Sequence, residues 1–149
     1  MLFRSSKEPV VLVASGTRHA ACVTSKGVLY TWGNGKHGEL GDGFQEIRLN
    51  PQQINLATHG GEPAVMVSCG TSHTVVLTET GCVWTCGDGR YGKLRHGNDK
   101  LQLTLKLVSV LEDIENAISV NLWKLLSLAI IKLQHFSAGV FLERTIPLN

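Results

Sequence analysis

Short apolar runs broken by glycine organise the first two thirds of the chain. Val10-Val11-Leu12-Val13-Ala14 stops at Ser15-Gly16, His19 to Thr24 stops at Ser25-Lys26-Gly27, and Val28-Leu29-Tyr30-Thr31-Trp32 follows at once. Runs of five or six β-type residues with a glycine turn between them predict antiparallel strands, and Lys26-Gly27 predicts a hairpin. Ala64 to Cys69, His73 to Thr78 and Cys82 to Cys86 repeat the order, with Thr80-Gly81 as the matching turn. Between the two sets, Phe44 to Glu62 is polar and holds Asn50-Pro51 and Gly60-Gly61, which predicts a long connection with one irregular strand around Gln53 to Leu56. Each set is therefore three or four antiparallel strands.

The two sets are copies. Gly16, Thr17, His19, Thr24, Gly27, Thr31, Gly33, Gly35, Gly38, Leu40 and Gly43 return as Gly70, Thr71, His73, Thr78, Gly81, Thr85, Gly87, Gly89, Gly92, Leu94 and Gly97, all displaced by 54 residues. That is 11 identities in 28 aligned positions without a gap. A period of this length made of short strands marks a repeated all-β unit such as a propeller blade. One sheet of four strands cannot bury both faces by itself, so each unit has to stack on a neighbour. The predicted fold is all-β: a partial β-propeller of two antiparallel four-stranded blades with an irregular C-terminal segment. Its divisions are an N-terminal extension (1–9), a first repeat and connection (10–63), a second repeat (64–100) and a degenerate third repeat or cap (101–149). In the last division Leu101 to Leu111 alternates in strand fashion, Leu111 to Leu133 suits either a buried helix or strands, and Ile118-Ser119-Val120 resembles the strand that precedes the glycine. Leu133 to Asn149 has no blade feature.

Glycine at 27, 35, 81 and 89 follows Lys, Asn, Thr or Asp, which suits turn positions with positive φ. Gly16 and Gly70 lie between apolar runs, where a missing side chain lets neighbouring backbones approach.

Composition narrows the function. With 149 residues the chain is too short for a closed propeller, which at this period needs roughly 200 or more. A net charge of +2, without a run of either sign, lacks the footprint of a nucleic-acid binder. The first nine residues lack the apolar core of a signal peptide, and the longest apolar stretch, Leu122 to Leu133, contains Lys124 and Lys132 and is too short to span a bilayer. Four scattered cysteines form no disulfide framework. A soluble chain in the cytoplasm or nucleus, with free thiols and no membrane or nucleic-acid partner, is expected.

The candidate chemistry is thin. His19 and His73 recur beside a glycine at a strand start, which favours hydrogen-bonded core residues over catalysts, because catalysis needs an asymmetric partner set and a repeat supplies the opposite. Gly33-Asn34-Gly35-Lys36-His37-Gly38 and Gly87-Asp88-Gly89-Arg90-Tyr91-Gly92 both match the dinucleotide pattern, but Gly41, Gly43 and Asn50-Pro51 deny the helix that pattern requires. Cys82 and Cys86 would stand about 13 Å apart on a strand, too far to share one zinc ion. Cys86 occupies the place of Trp32 and is read as core filling. No catalytic residue, cofactor or metal is predicted.

Val13-Ala14-Ser15-Gly16-Thr17-Arg18-His19-Ala20-Ala21-Cys22-Val23 and Val67-Ser68-Cys69-Gly70-Thr71-Ser72-His73-Thr74-Val75-Val76-Leu77 resemble the hallmark of the regulator of chromosome condensation repeat. Tyr30-Thr31-Trp32-Gly33-Asn34-Gly35 with Gly38-Glu39-Leu40-Gly41 resembles its second half. The resemblance covers about residues 10–100. Its signature falls on Gly16, His19, Gly27, Trp32, Gly33, Gly35, Gly38 and Leu40, and on Gly70, His73, Gly81, Gly87, Gly89, Gly92 and Leu94. It implies propeller blades, normally about seven, used as an interaction platform. One branch of that family promotes nucleotide exchange on the small GTPase Ran and docks on histones, while others are modules of ubiquitin ligases, kinases and ciliary or trafficking proteins. The expected function is a noncatalytic protein-interaction module, and its open blade edges predict either self-association or poor solubility. Guanine-nucleotide exchange on a Ran-like GTPase and a nonfunctional truncated product are the alternatives, and ubiquitin ligation lacks a catalytic domain here.

Overall fold

The computed structural model describes residues 8–56 and 62–108. Two four-stranded sheets are built from strands in simple sequence order. The first contains β1 (Val10–Ser15), β2 (His19–Thr24), β3 (Leu29–Gly33) and β4 (Arg48–Ile54). The second contains β5 (Ala64–Cys69), β6 (His73–Thr78), β7 (Val83–Gly87) and β8 (Gln102–Leu107). Every neighbouring pair is antiparallel, and the registers repeat: His19 faces Gly33 as His73 faces Gly87, and a bulge after Val10 returns after Ala64. Residues 1–7 of the N-terminal extension and everything assigned beyond Val108, including the third-repeat strand and the cap, lie outside the described residues.

Two boundaries differ from the sequence reading. The connection from Phe44 to Glu62 contains a full strand, β4, that starts earlier than the irregular strand expected around Gln53. Pro51 sits within it and is tolerated because β4 is the sheet's edge, where no neighbour needs its missing N–H. The alternating stretch after Leu101 is β8, which pairs with β7, so the second sheet runs past residue 100 to Leu107.

The sheets share one core. Ala14, Ala21, Val23, Leu29, Ile54 and Leu56 of the first unit pack with Ala64, Val67, Cys69, Val76, Cys86 and Leu105 of the second. Backbone bonds join the units as well: the Ala64 amide donates to the Gly27 carbonyl at 2.9 Å, and Gly43 N donates to Leu103 O at 2.9 Å. Burial of this shared apolar surface, at roughly 25 cal/mol per Å², is what makes stacking favourable when neither sheet can close its own core.

Gly27 and Gly81 have φ of 77° and 94°, the left-handed conformation their turns need. Gly35 and Gly89 do not share it; Gly89 has φ −89°. What requires glycine there is proximity, because a methyl group at Gly35 would overlap the Glu46 carbonyl oxygen and one at Gly89 the Lys100 carbonyl oxygen. The turn folds back on the segment leading into the fourth strand in both units. Gly35→Ala is therefore expected to destabilise the fold by about 1–3 kcal/mol, the range typical of overpacking. A thermal melt followed by circular dichroism would show this as a lower midpoint, and an unchanged midpoint would refute the close approach.

Candidate functional site

The repeated glycine and histidine residues meet at the seam between the sheets. Gly16 N donates to His19 O and Gly70 N to His73 O, both at 2.8 Å, which pairs the two sides of the same hairpin at the start of β2 and β6. Gly16 lies so close to the second unit that a methyl group on it would overlap the Gly70 carbonyl oxygen. Across this contact the His19 ring reaches Thr74, with Nε2 2.8 Å from Oγ1. The Thr74 hydroxyl donates in turn to the Glu39 carbonyl at 2.6 Å. A hydroxyl has one proton, so Thr74 accepts from His19, and His19 Nε2 carries the hydrogen. Burial, followed by the neighbouring His73, lowers the His19 pKa to about 4, only partly offset by a His73 backbone hydrogen bond. The ring is neutral in the folded protein near neutral pH.

The remaining signature positions brace the turns. Thr31 Oγ1 donates to Leu40 O at 2.8 Å and Thr85 Oγ1 to Leu94 O at 2.9 Å, so each third strand holds the buried leucine of its own turn. Asn34 N donates to Arg18 O and Asp88 N to Ser72 O, each at 2.8 Å. Gly33 and Gly87 have φ of 104° and 108° and pass against Arg18 and Ser72. Gly38 turns with φ 76° onto β8, and Gly92 has φ 66° with no described residue near its missing side chain. Trp32 is half-buried, and its counterpart Cys86 is fully buried beside the Glu39 carbonyl.

Polar differences between the units are structural too. Asp88, where the first unit has Asn34, is almost fully buried and accepts from Lys93 Nζ at 2.8 Å and from Arg90 Nε at 3.0 Å. Burial opposes its charge, yet Lys93 and Arg90 outweigh it and hold the carboxyl at about 2. Burial pushes the Cys69 thiol up to about 12 and raises Cys86 further, so neither is a thiolate nucleophile. No cluster able to hold a metal ion occurs among the described residues. The dinucleotide-like glycines are followed by further tight turns and an isolated bridge at Asp42, and in the second unit by a three-residue 3-10 element with Tyr91 at φ 63°.

Solvent meets a different set of residues. Phe44 and Ile47 before β4, Leu49 on β4 and Tyr91 at the turn of the second unit are exposed apolar or aromatic side chains, with Arg48 stacked over Phe44 at 5.2 Å. Sequence reasoning passed over them because three of the four lie in a segment otherwise rich in polar residues. Unpaired apolar residues inside a polar connection were the available signal.

Known proteins fit this geometry. The Regulator of chromosome condensation (RCC1) repeat matches residues 26–77, and a second form of the same repeat matches 10–39 and 65–93. The chain belongs to the RCC1 repeat family. Human E3 ubiquitin-protein ligase HERC2 is 42% identical over 104 residues, covering 68% of this chain but 2% of HERC2. The Ultraviolet-B receptor UVR8 of Arabidopsis thaliana is 42% identical over 89 residues, covering 60% of this chain and 20% of UVR8. Among solved structures, human WBSCR16 superposes with a TM-score of 0.63 at 25% identity, over 70% of this chain and 26% of WBSCR16. Yeast Prp20 superposes at 0.61 with 17% identity, over 72% of this chain and 27% of its own. The chain thus spans a fifth or less of these curated relatives, and its two RCC1 sheets are a partial β-propeller. No helix among the described residues is long and apolar enough to cross a membrane.

The RCC1 histidine gives a pH signature. Folded His19 stays neutral down to about pH 4, whereas the unfolded ring takes up a proton below its ordinary value of 6.5. Its contribution to stability is complete above pH 6.5 and is lost as pH falls to about 4, amounting to about 3 kcal/mol. His96, also lowered by burial and then by Lys106, acts in the same direction. Asp88 acts later, with stability present above 3.8 and lost as pH falls through about 2. Urea unfolding between pH 7 and pH 4 should show a clearly shallower decline for His19→Gln than for the wild type; equal slopes would contradict the assignment.

Proposed function

We propose that this chain is a protein-interaction module of the RCC1 type without catalytic activity of its own. One observation carries the reading: the polar members of the repeat signature spend their hydrogen bonds inside the fold, while Phe44, Ile47 and Tyr91 stand in solvent at the turns. A group bonded to the scaffold and neutralised by burial is a poor proton carrier. An exposed aromatic flanked by a cation on a rigid turn is what protein interfaces use as anchors. A structural neighbour supports partners of the protein kind, since yeast Prp20 is described by its binding properties to Gsp1p and histones. The ligase named in HERC2 is a property of a protein of which the matched stretch is 2%. A cytoplasmic or nuclear setting fits such partners.

Two measurements test the module. Proteins retained by the immobilised chain, once identified and titrated in purified form, should bind the Phe44→Ser/Ile47→Ser variant at least about tenfold more weakly, which corresponds to about 1.4 kcal/mol. Equal affinity would remove these turns as the contact surface. Release of labelled GDP from a Ran-like GTPase should proceed at the same rate with and without the chain, and acceleration would establish exchange activity in place of simple binding.

A further inference from the structure

The repeat supplies its own internal comparison, because each position of one turn has an equivalent in the other. The two turns differ in charge. Residues 34–46 carry one cation against three carboxylates, whereas residues 88–100 carry four cations against two carboxylates. Glu39 is replaced by Lys93, Gly41 by Arg95, Asp42 by His96 and Glu46 by Lys100, each time in the positive direction. The first turn is therefore net acidic and the second net basic on the same backbone plan.

Arginine stands at position 95 against a backbone preference. Gly41 has φ 70°, and a side chain on it would come within 3.1 Å of Cys86 Sγ, because the second sheet lies against it. Arg95 keeps the same turn, with its N donating to Gly92 O at 3.0 Å as Gly41 N donates to Gly38 O at 3.1 Å, and it holds φ 62° although a Cβ disfavours that conformation. Its side chain is exposed, and no described residue lies within 4 Å of where side chains at Gly92 or Gly97 would project. Tyr91 also has a left-handed backbone, with φ 63°, and is 95% exposed. Lys100 joins the same turn: a side chain at Gly89 would overlap its carbonyl oxygen. Arg90 and Lys93 both pair with Asp88, at 2.9 and 2.8 Å. Arg95 and Lys100 have no ion pair among the described residues, and the turn's exposed carboxylate, Asp99, accepts from Gly92 N at 3.2 Å.

We propose that the turn from Asp88 to Lys100 is a docking site for an acidic segment of a protein partner, with Arg95 and Lys100 pairing its carboxylates and Tyr91 packing beside them. Charge complementarity selects this occupant, since the turn offers two exposed cations that no carboxylate of the fold answers, next to an exposed aromatic ring. A nucleic acid repeats its phosphate charge along the whole strand and draws its affinity from a longer basic track than two free cations provide. The first turn, with its acidic balance, repels the same segment, so the two copies of one scaffold carry different surfaces. This rests on the interaction-module reading and names the chemistry of one partner for it, through Arg95 and Lys100 and not through Phe44 or Ile47.

Arg95→Gly/Lys100→Glu writes the first unit's residues into the second. Glycine suits the left-handed backbone at position 95, so this variant should melt at or above the wild-type midpoint, and lost binding then has no origin in misfolding. Lys100→Glu alone, which leaves position 95 untouched, should weaken binding in the same direction and decides the matter if the double variant melts lower. The probe is a random dodecapeptide library displayed on phage and selected on the full chain, with the enriched peptides then synthesised and titrated. Enriched sequences should carry clustered Asp and Glu, bind the double variant at least about tenfold more weakly and lose affinity as salt rises. They should bind Phe44→Ser/Ile47→Ser as they bind the wild type. No enrichment, enriched peptides without an acidic cluster, equal affinity for the double variant and the wild type, or tighter binding of an RNA or duplex DNA oligonucleotide than of the selected peptides would each overturn the proposal. Proteins retained by the immobilised chain that bind Arg95→Gly/Lys100→Glu unchanged would remove this turn while leaving the module reading in place.

Discussion

The hydroxyl of Thr74 is the point on which the arrangement of the two sheets turns. It accepts from the His19 ring of the first unit and donates to the Glu39 carbonyl at the end of the first unit's turn. Both partners are buried, so neither can replace Thr74 with water without opening the seam. Apolar burial drives the sheets together and has no direction; this bonded chain and the overlap limit at Gly16 and Gly70 set where they stop. The turn held in this way is the same one that covers β8, so the hydrogen bonds at the seam position a surface contact some distance along the chain.

That division of labour explains why the chain looks equipped for chemistry and is built for recognition. Histidine, cysteine, threonine and acidic residues are present near one another, yet each is committed: His19 to Thr74, Thr31 and Thr85 to leucine carbonyls, Asp88 to Lys93 and Arg90. Burial moves His19 and Cys69 toward their neutral forms, whereas Asp88 keeps its charge because Lys93 and Arg90 face it. The scaffold is left rigid and the turns free to vary, the usual arrangement for a binding surface.

Much of this was legible in the sequence because a repeat writes its constraints twice. The six central strands, the hairpin glycines and the pairing of units all follow from positions that recur with the period. Where the period carries little identity, legibility fails. β4 and β8 share only Leu49 and Leu103, and Pro51 argues against a strand unless its edge position is known. At Gly35 and Gly89 the preceding Asn or Asp suggests positive φ, whereas the approach of a carbonyl from the next segment is what excludes a side chain there. Thr74 itself could not be found by periodicity, since its counterpart is Ala20, and a residue that joins two copies acts in one of them only. The exposed aromatic positions at the turns differ between units for the related reason that surface, unlike core, is not repeated.

Amide hydrogen exchange on Thr74→Val, resolved along the chain, tests the central role of that hydroxyl most directly. Valine keeps the shape and removes both bonds, which leaves two buried partners unsatisfied. The account predicts that protection falls in both sheets together, in the first through β2 and its turn and in the second through β6 and β8. Protection lost around β6 alone, with the first sheet and its turn unchanged, would contradict the claim that this single side chain couples the two units.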